Sequence, residues 1–552
     1  MATARRAELE KQRKTRQVRS LTFTAGAAAL LVAAGTLAFF LINGRQSNDV
    51  VPLGATIVPQ NALLSLTVST DDGPWQKLGQ FGTSESKAGW NKYLKHFETD
   101  FLEPFGLSYN KDIKGWMGQQ LTMAMVSPAP EDAAQAGHNA TVWVLPIRDL
   151  QQAQSVLSRM ASSGAGQKRT YKDVEVQTFQ SSNGKIVSAF ILEGRLLIAA
   201  NGNNTLNQVI DTYRGGPSLA QTPRFQEAMS TVEDGSAFAK LYVNLPMATA
   251  GALQDTGRGL SQSNLERLQA AQGLGSTISI QEEGLNFKAV SWLKPNPKQE
   301  LKGSNKPQTL AKSLPSDSLA AISGGDFQQV WQDYSQGTES QLIVPFNPKK
   351  IQSGLQRSTG LDFEKEFVPW MNGEFVAAVV PSTDKSKQGV GLTVLVKASD
   401  RNKADQAFKK LDVALRDRHN FLVAESKVGN RTVTTWKVPP NLPLASHGWL
   451  DGDVAFFTFG APITKRIVTP ENSNLLGADL YKATDKTNLS FNSGHFFADL
   501  QRTATLMKNS PLLPKLSPTT SQYIQAMDGI GVTSSIQNPW STRYDMFLKL
   551  KR

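Results

Sequence analysis

The chain has 552 residues, of which 40% are hydrophobic and 19% charged, a composition typical of globular proteins with sizeable cores. It contains no cysteine, which excludes disulfide bonds, thiolate nucleophiles and cysteine-ligated zinc. The formal net charge is +12, but seven basic residues fall within the first 19 positions, and no later cluster has the pattern of a nucleic-acid-binding surface.

The first 42 residues have the pattern of a membrane anchor. Residues 1–20 form a basic tail, and residues 21–42 contain no charged side chain. About 20 apolar residues in a helix span the hydrocarbon core of a bilayer, so we predict a transmembrane helix over residues 21–42. Because the basic residues precede this helix, the positive-inside rule places the tail in the cytoplasm and the bulk of the chain across the membrane.

A cleaved signal peptide is the alternative for this segment. Signal peptides have an apolar region of roughly 7–15 residues that ends in small side chains. The segment here is longer and ends with Phe39, Phe40, Leu41 and Ile42. The pattern therefore favours an uncleaved single-pass anchor, followed by a juxtamembrane linker at residues 43–54.

Beyond this linker, two long stretches repeat one pattern. Seven pairs match at a single offset: Gly106 and Gly360, Leu107 and Leu361, Tyr109 and Phe363, Lys111 and Lys365, Ile113 and Phe367, Trp116 and Trp370, and Met117 and Met371. A later block repeats with a small shift, in which Asp149, Ala153 and Leu157 match Asp400, Ala404 and Phe408. We therefore predict two copies of one domain, at residues 55–293 and 311–552, joined by a linker at residues 294–310 that is rich in Pro, Lys, Gln and Asn.

Each predicted copy contains a buried strand followed by a helix. Val142–Leu145 and Leu392–Val396 are short apolar runs of the kind found in buried strands. The segments that follow have apolar residues at helical spacing and begin at Asp149 and Asp400, which suit helix N-caps.

Hairpins are predicted at equivalent places in both copies. Two apolar runs break at Glu193-Gly194 and Asp451-Gly452, and an acidic residue followed by glycine between apolar runs indicates a hairpin. A further hairpin is predicted near the end of each copy, at Ile278–Trp292 and Ser534–Leu550. Because strands outnumber helices, we predict α+β domains with mostly antiparallel sheets, each with one sheet face covered by helices.

The sequence contains no motif that assigns an enzymatic activity. The five histidines have no metal-binding spacing: His96, His138, His419, His447 and His495. We therefore expect each histidine to lie on the surface or in a local hydrogen bond, and we predict no catalytic, cofactor-binding or metal-binding residues.

Three short patterns have structural explanations that we favour over functional ones. Ser84-Lys87 and Ser182-Lys185 match the SxxK pair of serine acyltransferases, but the other elements of that motif are missing. Gly273-Gly275 and Gly529-Gly531 resemble part of a phosphate loop, but a strand rather than a helix should follow, so we predict a tight turn into the last hairpin. The repeated tryptophans at 116 and 370 are predicted to be core anchors rather than a recognition pocket.

Three features of the chain point to one family: the anchor, the repeated blocks Trp116-Met117-Gly118 and Trp370-Met371-Asn372, and the segment Trp75-Gln76-Lys77-Leu78. With these features the chain resembles a family of cyanobacterial-type single-pass membrane proteins known only as a domain of unknown function. The resemblance extends over nearly the full length. It implies a bacterial inner or thylakoid membrane, with the bulk of the protein in the periplasm or lumen. It implies no activity, cofactor or site residue.

Three functions are compatible with these patterns. The first is a non-enzymatic module that binds or scaffolds an unidentified protein, in addition to its contact with membrane lipid through the N-terminal helix. The second is a binder of an apolar small molecule or lipid in a cleft within or between the copies, because ligand sites are often clefts at domain interfaces. The third, which the sequence favours least, is a Ser-Lys hydrolase.

Overall fold

The computed structural model describes most of the chain beyond the predicted anchor. The described residues are 44–45, 52–127, 140–163, 166–182, 184–247, 270–295, 301, 305, 309–335, 348–382, 389–460, 462–469, 472–487, 489, 492–509 and 518–552. The predicted tail at 1–20 and transmembrane helix at 21–42 lie outside this set. Within it, no helix has both the length and the apolar character needed to cross a bilayer.

The described strands before residue 300 are β1 (Gly44–Arg45), β2 (Ala62–Asp71), β3 (Gln120–Val126), β4 (Ala140–Pro146), β5 (Gln167–Tyr171), β6 (Val174–Gln180), β7 (Ile186–Leu192), β8 (Leu196–Ala200), β9 (Ala239–Val243), β10 (Ala271–Gln281) and β11 (Gly284–Leu293). Those after residue 300 are β12 (Ala320–Gly324), β13 (Phe375–Pro381), β14 (Val390–Lys397), β15 (Leu422–Val428), β16 (Arg431–Val438), β17 (Leu442–Trp449), β18 (Val454–Gly460), β19 (Gly494–Asp499), β20 (Met527–Asn538) and β21 (Ser541–Leu550).

The described α-helices are α1 (Asp72–Gln80), α2 (Ser84–Phe97), α3 (Leu150–Ser163), α4 (Asn203–Tyr213), α5 (Phe225–Ser230), α6 (Phe327–Ser335), α7 (Pro348–Thr359), α8 (Phe363–Glu366), α9 (Arg401–His419), α10 (Thr464–Val468), α11 (Asp479–Thr484), α12 (Leu500–Asn509) and α13 (Pro518–Gln525). Two π-helical turns lie at Glu98–Leu102 and Tyr109–Ile113. Short 3-10 turns lie at Glu103–Phe105, Leu219–Gln221, Leu310–Ser313, Val368–Trp370 and Leu475–Gly477.

All 21 described strands join one sheet, and every pairing is antiparallel, so the α+β class with a large antiparallel sheet is confirmed. In the first half of the chain (residues 55–293) the order is β5-β6-β7-β8-β4-β3-β2-β9-β10-β11. In the second half (residues 311–552) it is β15-β16-β17-β18-β14-β13-β12-β19-β20-β21. The two orders match strand for strand. In addition, β1 pairs with the end of β2.

The sheet is continuous across the two halves because their last strands pair with each other. β11 runs antiparallel to β21 in an unbroken register from Gly284 opposite Lys549 to Trp292 opposite Ser541. An ion pair between Lys549 and Glu283 lies at one end of this seam. Both predicted terminal hairpins are confirmed, and each supplies one side of the seam.

Local sequence signals explain several elements. The side chain of Asp149 accepts a hydrogen bond from the backbone N–H of Gln152, and that of Asp400 accepts one from Lys403, so both predicted caps are formed. At the β7–β8 turn, the backbone N–H of Arg195 donates to the carbonyl of Leu192 at 2.9 Å. The two central residues of this turn, Glu193 and Gly194, have φ values of 49° and 68°, the left-handed conformation of a type I′ turn.

Helices cover both faces of the sheet, so the prediction of one covered face was wrong. On β8, Leu197 packs with residues of α3, whereas Ile198 packs with α4 on the other face. In the second half, α9 covers one face and α10 the other. Both faces are buried because apolar side chains occur at consecutive strand positions instead of alternating with polar ones.

The predicted glycine turns are also wrong, because these glycines lie inside β10 and β20. A Cβ at Gly275 would lie 2.3 Å from Sδ of Met229, and one at Gly531 would lie 2.5 Å from the carbonyl oxygen of Thr484. The glycines therefore allow a helix or turn to pack closely on the strand, which a turn-based interpretation does not anticipate.

Candidate functional site

An extensive apolar cavity lies in the first half, between the sheet and the helices on one of its faces. Its volume is about 930 Å³. This is near the upper end of the roughly 300–1,000 Å³ typical of small-molecule sites. The cavity is therefore large enough for an organic ligand.

Six neighbouring strands form the floor of the cavity: β6, β7, β8, β4, β3 and β2. Neighbouring strands lie about 4.8 Å apart, so the floor extends roughly 24 Å across the sheet. Its side chains are apolar and include Leu66, Val68, Met123, Trp143 and Ala199. The cavity is therefore elongated perpendicular to the strands.

The roof segment, residues 98–117, lies over this floor together with α3. It contains both π-helical turns, a conformation that is rare and frequently found at functional sites. The carboxylate of Glu98 accepts a hydrogen bond from the backbone N–H of Tyr109 at 3.1 Å, which connects the two π-helical turns. The backbone N–H of Ser182 donates to the carbonyl of Pro104 at 2.9 Å, which joins the roof segment to the β6–β7 hairpin.

Trp116 anchors the roof segment, as the sequence predicted for a core residue. Its side chain is 1% exposed, and its Nε1–H donates to the backbone carbonyl of Asp112 at 2.6 Å. The equivalent Trp370 is 2% exposed and donates to the carbonyl of Glu366 at 3.0 Å. Both indoles are therefore buried with their donor satisfied by the preceding helical turn.

The carboxylate of Asp112 fixes the shape of the roof segment. It accepts a hydrogen bond from the backbone N–H of Ser108 at 2.8 Å and forms an ion pair with Arg159 of α3. The Ser108 N–H, assisted by Arg159, holds the pKa of Asp112 below its ordinary value. The roof segment is thus tied to α3 by a charged contact.

Four exposed polar side chains line the cavity, and we call them the rim. Lys95, Asp100, Asn110 and Lys185 are exposed and line the cavity. Nζ of Lys185 donates to the backbone carbonyl of Asp100 at 2.9 Å, a second contact between the roof segment and the β6–β7 hairpin. The rim therefore carries charges of both signs above an apolar interior.

The strand register identifies the positions in the second half that correspond to the cavity floor. Ala199 on β8 lies opposite Ala189 on β7, and Phe457 on β18 lies opposite His447 on β17. The first half therefore has two alanines where the second half has two rings. In the same way, Leu157 of α3 corresponds to Phe408 of α9 in the sequence repeat.

These larger side chains pack against one another in the second half. The rings of Phe408 and His447 are stacked with centroids 4.4 Å apart, and those of Trp436 and Phe457 are 5.5 Å apart. The imidazole of His447 is buried and its Nε2 lies 2.9 Å from the carboxylate of Asp412. Side chains therefore occupy positions whose small counterparts border the cavity in the first half.

The serine–lysine pairs do not have the arrangement of a nucleophile and its base. Ser84 begins α2, and Nζ of Lys87 donates to the backbone carbonyl of Gln80 at 3.0 Å. Ser182 lies in the β6–β7 turn, and Lys185 is the rim residue that donates to Asp100. A general base must lie within hydrogen-bond reach of the proton that it removes, whereas the described partner of each Nζ is a backbone carbonyl and not the serine hydroxyl.

No group of three metal-ligating side chains occurs within the described part of the chain. Two of the histidines make local hydrogen bonds: the buried His447 with Asp412, and the half-buried His495, whose Nδ1 lies 2.9 Å from the hydroxyl of Thr533. His419 is exposed and contacts the carbonyl of Ser358. The side chains of His96 and His138 lie outside the description.

The sequence interpretation did not find the cavity. Its apolar lining residues look like ordinary core residues one at a time, and the predicted cleft was not assigned to any segment. One signal was present in the repeat itself: Ile113 and Leu157 in the first copy align with Phe367 and Phe408 in the second. Smaller side chains at these core positions indicate that less of the interior is filled in the first copy than in the second.

The fold and cavity define an α+β protein with one extended antiparallel sheet and an apolar internal site. The chain belongs to the family described as "Protein of unknown function (DUF3352)", whose model matches residues 23–550. No curated protein matches the sequence.

Among solved structures, the chain is similar to three crystal forms of TP0453. For forms III, I and IV the identities are 11%, 12% and 12%, and the TM-scores are 0.25, 0.25 and 0.24. The alignments cover 45%, 46% and 46% of this chain and 82%, 82% and 89% of the other chain. A likeness at this level carries no argument about fold or function.

Proposed function

We propose that this protein is a non-catalytic binding protein that holds an apolar ligand in the first-half cavity. The single observation that carries the proposal is an elongated cavity of about 930 Å³ with apolar walls and a polar rim. Such a site removes hydrocarbon from water while leaving a polar end near solvent.

Energetics favour a ligand with many methylene groups. Each methylene group transferred from water contributes about 0.8 kcal/mol. Association costs roughly 4–15 kcal/mol in lost freedom of movement, so a ligand with only a few methylene groups does not bind tightly by this effect. A long hydrocarbon chain offsets that cost.

The proposal includes one ligand site per chain, in a protein built from two copies of one domain. The identical strand order of the two halves supports the duplication. The aromatic side chains at His447, Phe457 and Phe408 leave less room in the second copy. Duplication followed by loss of one site accounts for both observations.

We further propose that residues 21–42 anchor the protein in a bacterial inner or thylakoid membrane, with the described residues in the periplasm or lumen. The uncharged apolar stretch after a basic tail supports this topology. An anchored binder of hydrocarbon would have its ligand within reach in the adjacent bilayer.

A second candidate function is binding of an unidentified protein. It is favoured by Leu392 and Phe459, which lie opposite each other on β14 and β18 and are 42% and 45% exposed. Phe459→Ser should then reduce recovery of a specific partner from solubilised membranes. Recovery of the same proteins with and without this substitution would contradict this candidate.

Binding of a fluorescent fatty acid to the full-length protein in nanodiscs tests the main proposal, with empty nanodiscs as background. We expect saturable binding with one site per chain. Ala199→Phe, which introduces the ring found at Phe457, should weaken binding at least about tenfold, because it removes room for roughly two methylene groups.

Leu422→Phe is the matched control, since it adds a ring at a side chain of the second half that is 54% exposed. It should leave binding unchanged. Equal binding by wild type and Ala199→Phe would show that the probe does not occupy the cavity.

A further inference from the structure

The strands β6 and β7 separate before either of them ends. Their pairing stops at Gln177 opposite Ala189, although β6 begins at Val174 and β7 continues to Leu192. On the outer sides, β6 pairs with β5 from Val174 onwards, and β7 pairs with β8 as far as Leu192. The first three residues of β6 and the last three of β7 therefore have a strand neighbour on one side only.

A second cavity, of about 570 Å³, lies in this opening between the two strands. Val174 and Glu175 line it from β6, and Phe190, Ile191 and Leu192 line it from β7. Backbone N–H and C=O groups lie in the plane of a sheet and point towards the neighbouring strand, so the inner edges of β6 and β7 present such groups to the cavity. Backbone groups withdrawn from water are almost always paired, which favours an occupant with its own backbone donors and acceptors.

The opening passes through the sheet from one face to the other. Gln154 and Ser158 of α3 line it on one face, and Tyr213 at the end of α4 lines it on the other. It adjoins the apolar cavity, since Leu157 and Ala189 line both. An occupant therefore has room for side chains on both faces, which is the arrangement along a β-strand.

The size of the opening matches one short strand segment. A strand rises about 3.4 Å per residue, neighbouring strands lie about 4.8 Å apart, and packed sheets lie about 10 Å apart. Three residues of a strand therefore take up roughly 500 Å³. The opening, at about 570 Å³, holds a segment of this length.

The second half has a glycine where the strands of the first half separate. There the ladder between β16 and β17 goes one pair further, as far as Gly448. A Cβ at Gly448 would lie 2.9 Å from the carbonyl oxygen of Thr432 on β16, so glycine lets the two backbones approach. Because Ala189 corresponds to His447, the residue at this place in the first half is Phe190. Its Cβ excludes the same approach, which accounts for the earlier separation of β6 and β7.

We propose that this opening binds an extended peptide segment of a partner protein, about three residues long, which inserts as a strand between β6 and β7. The inserted segment runs antiparallel to one of these strands and parallel to the other, and it completes the hydrogen bonds of both. Backbone hydrogen bonds give such strand addition its affinity, and the side-chain pockets on the two faces give specificity. This inference goes beyond the proposed function, which concerns the neighbouring apolar cavity.

Amide hydrogen exchange of the full-length protein in nanodiscs tests the inference, with the tripeptide acetyl-Thr-Val-Thr-amide as probe, because threonine and valine suit strands. Exchange is followed by mass spectrometry of proteolytic fragments. At saturation we expect exchange in fragments covering residues 174–176 and 190–192 to slow at least about threefold, because a bound amide exchanges only after the tripeptide leaves. A tripeptide with the same side chains and methylated backbone nitrogens is the control and should give no protection.

Two variants of α3 locate the protection. Ser158→Trp fills the opening from the α3 face and should abolish it. Ser162→Trp, one helical turn further along α3 at an exposed position outside this lining, should leave it unchanged. The inference is overturned if the tripeptide gives no protection at these segments, or protects only the outer edge strands β5 and β15. Equal protection by the methylated tripeptide, or undiminished protection in Ser158→Trp, also overturns it.

Discussion

At the level of single side chains, the two halves differ at a few equivalent positions. At these positions the first half has alanine and the second half has an aromatic ring. Phe457 contacts the indole of Trp436 with ring centroids 5.5 Å apart. Ala199 at the matching position leaves that volume open to the cavity. The aromatic side chains of the second half therefore contribute packing energy that the first half lacks.

Phe457→Ala should lower the free energy of unfolding by about 2–3 kcal/mol, somewhat less than the roughly 3–5 kcal/mol lost with a fully buried phenylalanine. Urea titration followed by tryptophan fluorescence measures the change. Phe459→Ala, two residues further along β18 and 45% exposed, is the control and should cost under about 1 kcal/mol. Equal losses for the two variants would contradict the packing role of Phe457.

Asp112 ties the roof segment to α3, so its charge should matter for stability. Because its pKa is lowered in the folded protein, chiefly by the Ser108 N–H, its contribution is complete above the ordinary carboxyl pKa of 3.8. It is lost as the pH falls through the lowered value.

Asp112→Asn should therefore lower the melting temperature at pH 7, by an amount equivalent to roughly 1 kcal/mol for a charge-assisted hydrogen bond near solvent. The difference between variant and wild type should shrink as the pH falls below 3.8. Thermal melts between pH 3 and pH 7 measure it. A difference that stays constant over this range would show that the charge of Asp112 contributes nothing.

Burial of a residue was predictable from the sequence where its side chain is much more stable in the apolar interior than in water. The large, mostly apolar indoles of Trp116 and Trp370 were predicted to be core anchors, and both are buried. The cavity was not predictable in the same way, because Ala189 and Ala199 are compatible with a filled core. Whether space remains depends on which larger side chains come near, which only the fold determines.

At the scale of elements, hairpins and capped helices followed from local signals. The β7–β8 turn and the helices after Asp149 and Asp400 each depend on residues next to one another in sequence. The order of strands depends on contacts between distant residues, and the pairing of β11 with β21 joins residues more than 240 positions apart. No local pattern contains that information.

Gly284, at the start of β11, has a special role in the seam. Its φ is +156°, and a Cβ there would lie 2.0 Å from the carbonyl oxygen of Leu548. Gly284→Ala should destabilise the protein by about 2–3 kcal/mol, because backbone of β21 has to move.

The melting temperature of the full-length protein measures this effect. Gly354→Ala in α7 is the matched control, because a Cβ there meets nothing within 4 Å and alanine favours a helix by roughly 0.5–1 kcal/mol. The two variants should shift the melting temperature in opposite directions. A stabilising effect of Gly284→Ala would show that the backbones of β11 and β21 are farther apart at Gly284 than described.

For the whole molecule, the predicted anchor has a direct test. The full-length protein should remain with membranes after an alkaline wash, whereas a chain of residues 43–552 should be released, because about 20 apolar residues are removed. Protease added to the cytoplasmic face should shorten the protein by no more than the basic tail. Digestion of the larger part from that face would contradict the proposed topology.

The seam between β11 and β21 also has a consequence for biosynthesis. β11 is complete at residue 293, but its partner begins only at Ser541, which is 248 residues later. At translation rates of roughly 5–20 residues per second, the nascent first half waits about 10–50 s with one strand edge unpaired. Unpaired edges recruit other chains, so a ribosome that stalls within the second half should leave a product prone to aggregation. The protein is therefore most vulnerable while it is being made, and the synthesis of β21 ends that exposure.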